Sequence, residues 1–520
     1  MGTRGYAIGR GYKKSITQND ANGYNKMYDW INEILLTFRQ CFTRKNKFKW
    51  FVVIILGLMI RQDHLGVTSI IRELGLKPQW YETMLHFFRS SAWNLEGVTA
   101  WWIQVVGSCG FLILENGMPI LIGDGVKQGK GWSFASRTAR PCDLEGRRMP
   151  CVKRLHQESE TVSKAPYIFG HMFGAIGVLV GNASKLFCAP LSIRIHDGDA
   201  QIKKWSGDGK GDESHVIRII REACAAVKIL GRNSILLLDR YYLSVPALMA
   251  LQEEQARAGK PLLSVVMRAK RNPTAYEDPI PNKRGRPRKK GETVKIKDLF
   301  EFHAHEFIEA VVTMYGKTES ILYYTCDLLW GKKLYQKLRF VLVVQGDARS
   351  IFVCTDLTMT PVQILRLYGY RFKIECCFRE LKQVIAGFAY RFWSFSMPRL
   401  NRFAKSGYDP LESVNSDKDR IRITRAFNAI QGFVMAASIA FGLLQICALR
   451  FADEINAPHL RWLRSRTNVT PSEATTSHFM GKTIFRFIAF RPDLPIMRFI
   501  LERQSSVPPD SLIHDNQFGA

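Results

Sequence analysis

Acidic side chains are scarce in this sequence. Its 520 residues include 46 Asp and Glu against 74 Lys and Arg, which gives a formal net charge of +28. Such an excess repels itself in a compact fold unless a polyanion is nearby. The charge therefore favours nucleic acid as the partner. An anionic membrane surface is the alternative, but no basic amphipathic helix or lipidation motif supports it.

The sequence has no C-x-x-C pair, although it contains 11 cysteines. Cys376 and Cys377 are adjacent, and the others are scattered. This usage argues against a disulfide framework and against a zinc site. It is typical of a reduced, cytosolic set of small buried thiols.

Secretion and membrane signals are also missing. Residues 1–25 are polar and glycine-rich, unlike a signal peptide. The apolar run Trp50–Ile60 is well short of the ~20 residues that cross a bilayer. A longer run, Ala426–Leu449, is interrupted by Asn428, Gln431 and Gln445. We interpret it as a buried helix and predict no membrane partner.

Length and composition indicate a multidomain globular chain. Hydrophobic residues make up 46% of it, and its length predicts two to four domains. Residues 1–110 are predicted to be a helical, basic, DNA-binding region. Val67–Leu74, Gly75 and Pro78–Phe88 resemble a helix-turn-helix, although plain helical packing would give the same pattern.

An α/β pattern follows. We predict strands at Pro119–Gly125, Phe173–Val180, Leu191–Ile195, Ser234–Leu238 and Leu262–Arg268, with helices at Val216–Leu230 and Leu243–Glu254. Residues 111–268 are therefore predicted as the first part of a catalytic domain, and residues 346–400 as its second part. A helical region is predicted for residues 401–520.

Residues 269–345 are predicted to be a β-rich insertion with a basic loop. Its predicted strands begin with Phe307–Tyr315 and Ser320–Leu328 and continue with Arg339–Val344, before Ile351–Cys354. The loop carries an AT-hook-like core of Arg284, Gly285, Arg286 and Pro287. Extended Arg-Gly-Arg fits a narrow A·T minor groove, so we interpret the loop as a DNA contact. The alternative is a solvated charge run.

One predicted helix carries a narrow polar stripe. It begins at the N-cap Thr360 with Pro361 in the first turn, and Gly387 is a plausible end. The stripe consists of Tyr368, Arg371, Glu375 and Lys382. At roughly 100° per residue they fall at about 0°, −60°, −20° and −40°. Such a face suits metal binding and a grip on phosphates, although an ordinary charged surface helix is the alternative.

Two acids stand at the ends of predicted buried strands. Asp124 ends one and Asp239 ends another, so both are expected at one edge of the sheet. A turn-forming Asp would explain either one alone. With Glu375 as a third carboxylate, the set can hold two Mg²⁺ ions about 3.5–4 Å apart, which suits in-line attack on a phosphodiester.

With these residues in view, the sequence resembles a DDE transposase of a bacterial insertion sequence, from the branch with the YREK signature. That signature is Tyr, two residues, Arg, three residues, Glu, six residues and Lys, and the stripe matches all four positions. The family's first Asp-Gly is matched by Asp124-Gly125. Its second Asp with a following aromatic is matched by Asp239 and either Tyr241 or Tyr242. Val126 departs from the Thr of many relatives.

The resemblance implies a ribonuclease-H-like α/β catalytic domain with the insertion between the second Asp and the Glu. Asp124, Asp239 and Glu375 would be the catalytic metal ligands for two Mg²⁺ ions, with Mn²⁺ as a substitute. Tyr368, Arg371 and Lys382 would hold DNA, and Trp330 would stack on a flipped base. Arg379, at about +20° on the same stripe, is outside the signature and is a candidate extension of this clamp.

The implied activity is cut-and-paste transposition of double-stranded DNA, by hydrolysis and strand transfer at element ends, with a homodimer in the end complex. The implied location is cytoplasmic, in a bacterium and associated with the nucleoid. An inactive DNA-binding descendant and another nuclease of the same fold are the alternatives.

Overall fold

The computed structural model describes residues 18–63, 65–130, 148–157, 167–207, 213–281, 286–314, 317–399, 408–456 and 469–505. A large mixed β-sheet lies at its centre, with helices packed around it. The mixed α/β architecture expected from the sequence is therefore confirmed, and it is consistent with a ribonuclease-H-like domain. The division into domains stays a prediction.

The sheet has 13 strands within the described residues. They are β1 (Leu114–Glu115), β2 (Met118–Gly129), β3 (Lys153–His156), β4 (Tyr167–Gly181), β5 (Leu186–Ile195), β6 (Ser234–Leu238), β7 (Leu263–Arg268), β8 (Thr274–Tyr276), β9 (Thr293–Lys295), β10 (Ile308–Met314), β11 (Lys317–Trp330), β12 (Gln336–Gln345) and β13 (Ala348–Cys354).

Five of these strands form the part of the sheet that carries the acids. Their order is β5-β4-β2-β6-β7. Strands β2, β6 and β7 are parallel to one another, whereas β4 runs antiparallel to both of its neighbours, β2 and β5. The five side chains of β6 are all buried, because helices cover both faces of this parallel segment. All five strands predicted in this region are present.

The predicted β-rich segment continues the same sheet. Strand β13 pairs antiparallel with β7, and β12 and β11 follow outward. Strands β10, β11, β12 and β13 coincide with the strands predicted there. The segment is therefore joined through β7 to the same sheet as β2 and β6, the strands of Asp124 and Asp239.

The helices of four residues or more are α1 (Gln18–Thr37), α2 (Lys45–Ile60), α3 (Val67–Glu73), α4 (Trp80–Phe88), α5 (Leu95–Gly107), α6 (Ala200–Trp205), α7 (His215–Leu230), α8 (Val245–Ala258), α9 (Leu299–Phe302), α10 (Pro361–Gly369), α11 (Phe372–Gln383), α12 (Asp417–Arg450), α13 (Ala452–Asn456), α14 (Glu473–Phe490) and α15 (Pro495–Leu501). Short 3₁₀ turns connect several of them.

Helix α12 is the one described helix that is long and apolar enough to cross a membrane. Its apolar window is completely buried, since α2, α14 and strand β5 pack around it. Gln445, which interrupts its apolar run, donates to the Cys188 carbonyl oxygen at 3.3 Å and to Glu473 at 3.0 Å. These contacts are those of a central core helix.

The helix that carries the polar stripe is interrupted, so the prediction of one continuous helix is wrong. Helix α10 ends at Gly369 and α11 begins at Phe372. At the joint, the amides of Tyr370 and Arg371 donate to carbonyls three residues back, which tightens the backbone locally. The predicted start is confirmed, since Thr360 and Gln363 form a capping box. The second helix ends at Gln383, before Gly387.

Candidate active site

Asp124 and Asp239 lie side by side at one edge of the parallel strands. Ile122 of β2 pairs with Leu237 of β6, so two residues later Asp124 stands level with Asp239. The prediction that Asp124 ends its strand is wrong. Strand β2 continues to Gly129 because it stays paired with β4, where Asp124 lies opposite Ala175. Only its pairing with β6 stops before the acid.

Arg371 joins two of the three carboxylates. Its Nη2 lies 3.1 Å from Asp124 Oδ2, and its Nη1 lies 2.6 Å from Glu375 Oε1. The side chain of Arg371 is only 13% exposed, whereas Glu375 is 46% exposed. Glu375 therefore faces solvent beside Asp124, with one guanidinium between them. The interrupted helix makes this possible, because Arg371 sits at the joint and reaches back across the sheet edge.

Tyr368 connects the same helix to the third acid. The residue is 3% exposed, and its ring packs edge-on against Phe352 of β13 at 4.9 Å between centroids. Its hydroxyl donates to Asp239 Oδ1 at 3.5 Å. Three carboxylates from β2, the end of β6 and α11 therefore converge around Tyr368 and Arg371.

Asp124 is a largely buried acid, and the positive groups around it do not fully offset the cost of its negative charge. Burial raises the pKa of its carboxyl to about 6, and the charges of Asp239 and Glu375 act in the same direction. Arg371 and the Gly125 amide, which donates to Asp124 Oδ1 at 2.7 Å, oppose the rise in pKa without cancelling it. A further cation at this place would stabilise the ionised carboxylate.

The donor set fits a divalent cation of the Mg²⁺ type. Three carboxylates offer the hard oxygen ligands that Mg²⁺ prefers. However, no group of three His, Cys, Asp or Glu residues is already arranged around a metal position in the described parts of the chain. Arg371 stands between Asp124 and Glu375. In this conformation it acts as their counterion.

The other predicted site residues lie at different distances from these acids. Lys382 Nζ is 3.5 Å from the Lys127 carbonyl oxygen of β2, beyond Asp124 on the same strand. Trp330 ends β11, opposite Gln336 of β12 and Ala275 of β8. No ring contact or hydrogen bond joins Trp330 to the three acids among the described residues, and its predicted stacking role stays a prediction.

Two predicted DNA contacts remain. Of the AT-hook-like core, Arg284 and Gly285 lie outside the described residues, while Arg286 and Pro287 are exposed. Arg379 pairs with its neighbour Glu380 at 3.0 Å and lines a cleft with Lys185 and Gln383, and its extension of the clamp stays a prediction. The predicted DNA roles of the AT-hook-like core stay predictions.

A chain of buried polar side chains supports the site from behind. His196 Nε2 lies 2.7 Å from Glu222 Oε1, which can only accept a hydrogen bond. The Nδ1 atoms of His196 and His215 are 2.8 Å apart, and His215 Nε2 is 2.8 Å from the Tyr242 hydroxyl. Burial lowers the pKa of His215 to about 3. Tyr242, the two histidines and Glu222 thus form one continuous hydrogen-bonded chain.

Glycines make room for this polar chain. A Cβ at Gly125 would lie 2.9 Å from His215 Nε2, and one at Gly174 would lie 2.0 Å from His196 Cε1. The glycine after Asp124 is therefore needed for close approach of His215 and not for a turn. Tyr242 is buried in this chain while Tyr241 is 58% exposed, so Tyr242 is the tyrosine that supports the site.

Sequence reasoning missed the two histidines and Glu222. Their spacing carries no motif, since His196, His215 and Glu222 lie on β5's end and on α7. It also missed a basic run that follows β7, Arg268–Arg271, although the run was readable as cations after a predicted buried strand next to Asp239. Neither group could be assigned to the site from the sequence, because that requires knowing which strands are neighbours in the sheet.

Comparison with known proteins gives one family. Residues 202–395 match the model of the transposase DDE domain. The match contains Asp239, Glu375 and the complete Tyr–Arg–Glu–Lys stripe, and it begins after Asp124. No curated protein and no solved structure gives a significant match to the chain. The family match supports a DDE transposase, and this family implies a DNA substrate and generally uses divalent metals.

Proposed function

We propose that this protein is a transposase that cuts and rejoins double-stranded DNA at the ends of a bacterial insertion sequence. One observation carries the proposal. Arg371 bridges Asp124 and Glu375 while Tyr368, from the same helical segment, reaches Asp239. Three acids from distant parts of the chain therefore meet at one sheet edge, in a chain with a net charge of +28.

Asp124, Asp239 and Glu375 are the residues that would hold Mg²⁺. When bound, two such ions activate the attacking oxygen and stabilise the leaving oxygen of a phosphodiester. Tyr368 orients Asp239 through its hydroxyl, and its buried ring fixes that hydroxyl against β13. Arg371 holds Asp124 and Glu375 close together through an ion pair with each.

Lys382 and Arg371 supply the positive charge that DNA requires near the acids. Lysine acts on phosphate as a point charge, whereas the arginine fork can hold two oxygens at once. The half-buried Lys382 lies beside the continuation of β2, so it would hold phosphates on the side of Asp124 away from β6. We also propose a homodimer in the end complex, cut-and-paste movement and a nucleoid location.

A cleavage assay tests this function. The substrate is a DNA fragment that carries the coding sequence with its flanking DNA, and wild type should cut it at the flanks when Mg²⁺ is present and not in EDTA. Glu375→Gln removes a carboxylate oxygen and should lower the cleavage rate at least ~100-fold, which corresponds to roughly 3 kcal/mol of transition-state stabilisation.

Glu380→Gln is the matched control for this assay. Glu380 is on the same helix and pairs with Arg379 on another side, so its variant should cut at the wild-type rate. If Glu375→Gln cut as fast as wild type, the metal-ligand assignment would be wrong. A folded wild-type protein that binds the fragment and never cuts it would instead indicate an inactive DNA-binding descendant.

A further inference from the structure

A basic cleft lies next to the acids, on the side of Asp239 away from Asp124. Its volume is about 590 Å³. The end of β7, the turn between β12 and β13, and the segment before α9 form its walls. Its charged lining residues are Arg240, Arg268, Lys270, Arg271, Lys297, Asp347 and Arg349.

The strand register places this cleft one strand from the acidic site. Leu238 of β6 pairs with Met267 of β7, so the residues that follow them, Asp239 and Arg268, stand level. Arg268 is in turn paired with Phe352 of β13. Because neighbouring strands are about 4.8 Å apart, the cleft begins immediately beside Asp239. Arg240, the next residue after Asp239, belongs to its lining.

Most of the positive charge of the cleft is uncompensated. Six of its lining residues are cations and one is an acid. Arg240, Lys270, Arg271 and Lys297 are exposed, and none of them forms an ion pair with another described residue. Gathering like charges in one concave place costs free energy unless an anion is bound there.

Two of the arginines are held in position. Arg268 Nη2 donates to Ser350 Oγ at 2.8 Å, which fixes its guanidinium across the β7–β13 pairing. Arg349 stacks over the Phe300 ring at 5.4 Å and has only a 3.7 Å contact with the largely exposed Glu301. The cleft therefore presents ordered guanidinium groups together with exposed ammonium groups, a combination that suits a chain of phosphates.

We propose that this cleft binds the sugar–phosphate backbone of the DNA strand where it continues past the phosphate under attack. The inference rests on the proposed function, since it takes the acids as the point of attack. Lys382 lies on the Asp124 side and the cleft on the Asp239 side, so the DNA backbone crosses the sheet edge from one to the other. These interactions neutralise phosphates and carry no base readout.

A salt-dependence experiment with matched variants tests the cleft. The test variant is Arg271→Gln/Lys297→Gln. The control is Arg232→Gln/Lys260→Gln, which removes one arginine and one lysine from exposed positions just before β6 and β7, at the opposite edge of the same strands. Binding of a fluorescent duplex of arbitrary sequence is measured by anisotropy in EDTA, over roughly 50–200 mM salt. Thermal melting checks that both variants fold.

The slope of log K against log salt is the decisive readout. It should become shallower by about 0.9 for each phosphate that the protein no longer neutralises, hence by about 1.8 in the test variant, and stay unchanged in the control. Equal slopes in the two variants would overturn the proposal. So would a shallower slope in the control alone.

The outcome is separable from that of the cleavage assay, because binding in EDTA needs no catalysis. If wild type does not cut DNA while the test variant shows the shallower slope, the transposase function fails and the cleft remains a nucleic-acid site. If wild type cuts DNA and the slopes are equal, the function stands and this cleft is not part of it.

Discussion

At the scale of single residues, Arg371 matters most for the candidate site, because it holds Asp124 and Glu375 together. The sequence motifs identified Asp124 and Glu375 as candidate ligands. They did not show that Arg371 forms an ion pair with both. Sequence spacing places Arg371 one turn before Glu375, which predicts a contact on the helix. Its contact with Asp124 spans 247 positions and depends on the fold. The helical stripe was thus readable, whereas the buried ion pair was not.

Replacing Arg371 with Gln should lower the free energy of unfolding by about 2–3 kcal/mol in EDTA, because Asp124 and Glu375 would no longer share a counterion in a partly buried place. Mg²⁺ should restore part of this loss by taking over the counterion role. Urea unfolding with and without Mg²⁺ measures both effects.

Arg366→Gln is the matched control for this stability measurement. It breaks an ion pair with Glu115 in which the arginine side chain is 45% exposed, so it should cost no more than about 1 kcal/mol and show no response to Mg²⁺. Equal destabilisation of the two variants would contradict the special place of Arg371.

At the scale of elements, strand β4 is anchored to the segment after α11 by His171. Its Nε2 lies 2.8 Å from the Pro150 carbonyl oxygen and its Nδ1 lies 2.6 Å from the Tyr390 hydroxyl. Because a carbonyl only accepts, Nε2 carries the proton and Nδ1 accepts from Tyr390. Burial, with Lys130 nearby, lowers the pKa of His171 to about 3.

This pKa makes the anchor sensitive to pH. An unfolded histidine takes up a proton near pH ~6.5, and the folded one only near its lowered pKa, so the unfolded state binds more protons in between. Stability therefore falls as pH drops from about 6.5 towards 3, by up to ~1.4 kcal/mol per pH unit from this residue.

His171→Gln should remove that contribution to the pH dependence. Between about pH 6.5 and pH 5, the advantage of wild type over the variant should shrink by about 2 kcal/mol in urea unfolding. His305→Gln changes a histidine whose side chain is 78% exposed and should leave the pH profile as in wild type. Parallel profiles for wild type and His171→Gln would refute the assigned anchor.

At the scale of the whole molecule, the N-terminal helices α1 and α2 pack against the C-terminal part of the described chain. The Tyr28 hydroxyl lies 2.9 Å from Thr483 Oγ1, and Lys49 pairs with Glu502 at 2.7 Å. The apolar patterns predicted helices at both ends of the chain. They could not predict this pairing. An amphipathic pattern shows that one face of a helix is buried, but it does not show which distant segment covers that face.

Arg61 ties those helices to the active-site half of the chain. It ends α2, is fully buried, and donates to the carbonyl oxygens of Ile385, Ala386 and Gly66. Arg61→Met should lower the free energy of unfolding by about 3–5 kcal/mol, since it strands three buried acceptors. Chemical denaturation measures this destabilisation.

Arg44→Met changes an exposed arginine at the other end of α2, and its effect should stay within about 0.5 kcal/mol. A comparable destabilisation of both variants would show that Arg61 contributes no more than a surface charge.

The pairing of β13 with β7 has a mechanical consequence. In this pairing, β13 residues Phe352, Val353 and Cys354 lie opposite Arg268, Met267 and Val266 of β7. The β-rich segment and the strands of the two aspartates therefore belong to one continuous, rigid sheet. Any hinge between them would have to break that ladder. Under the proposed function, shape adjustment during binding falls to the DNA duplex, and the cost of bending or unpairing it should depend on how deformable its sequence is.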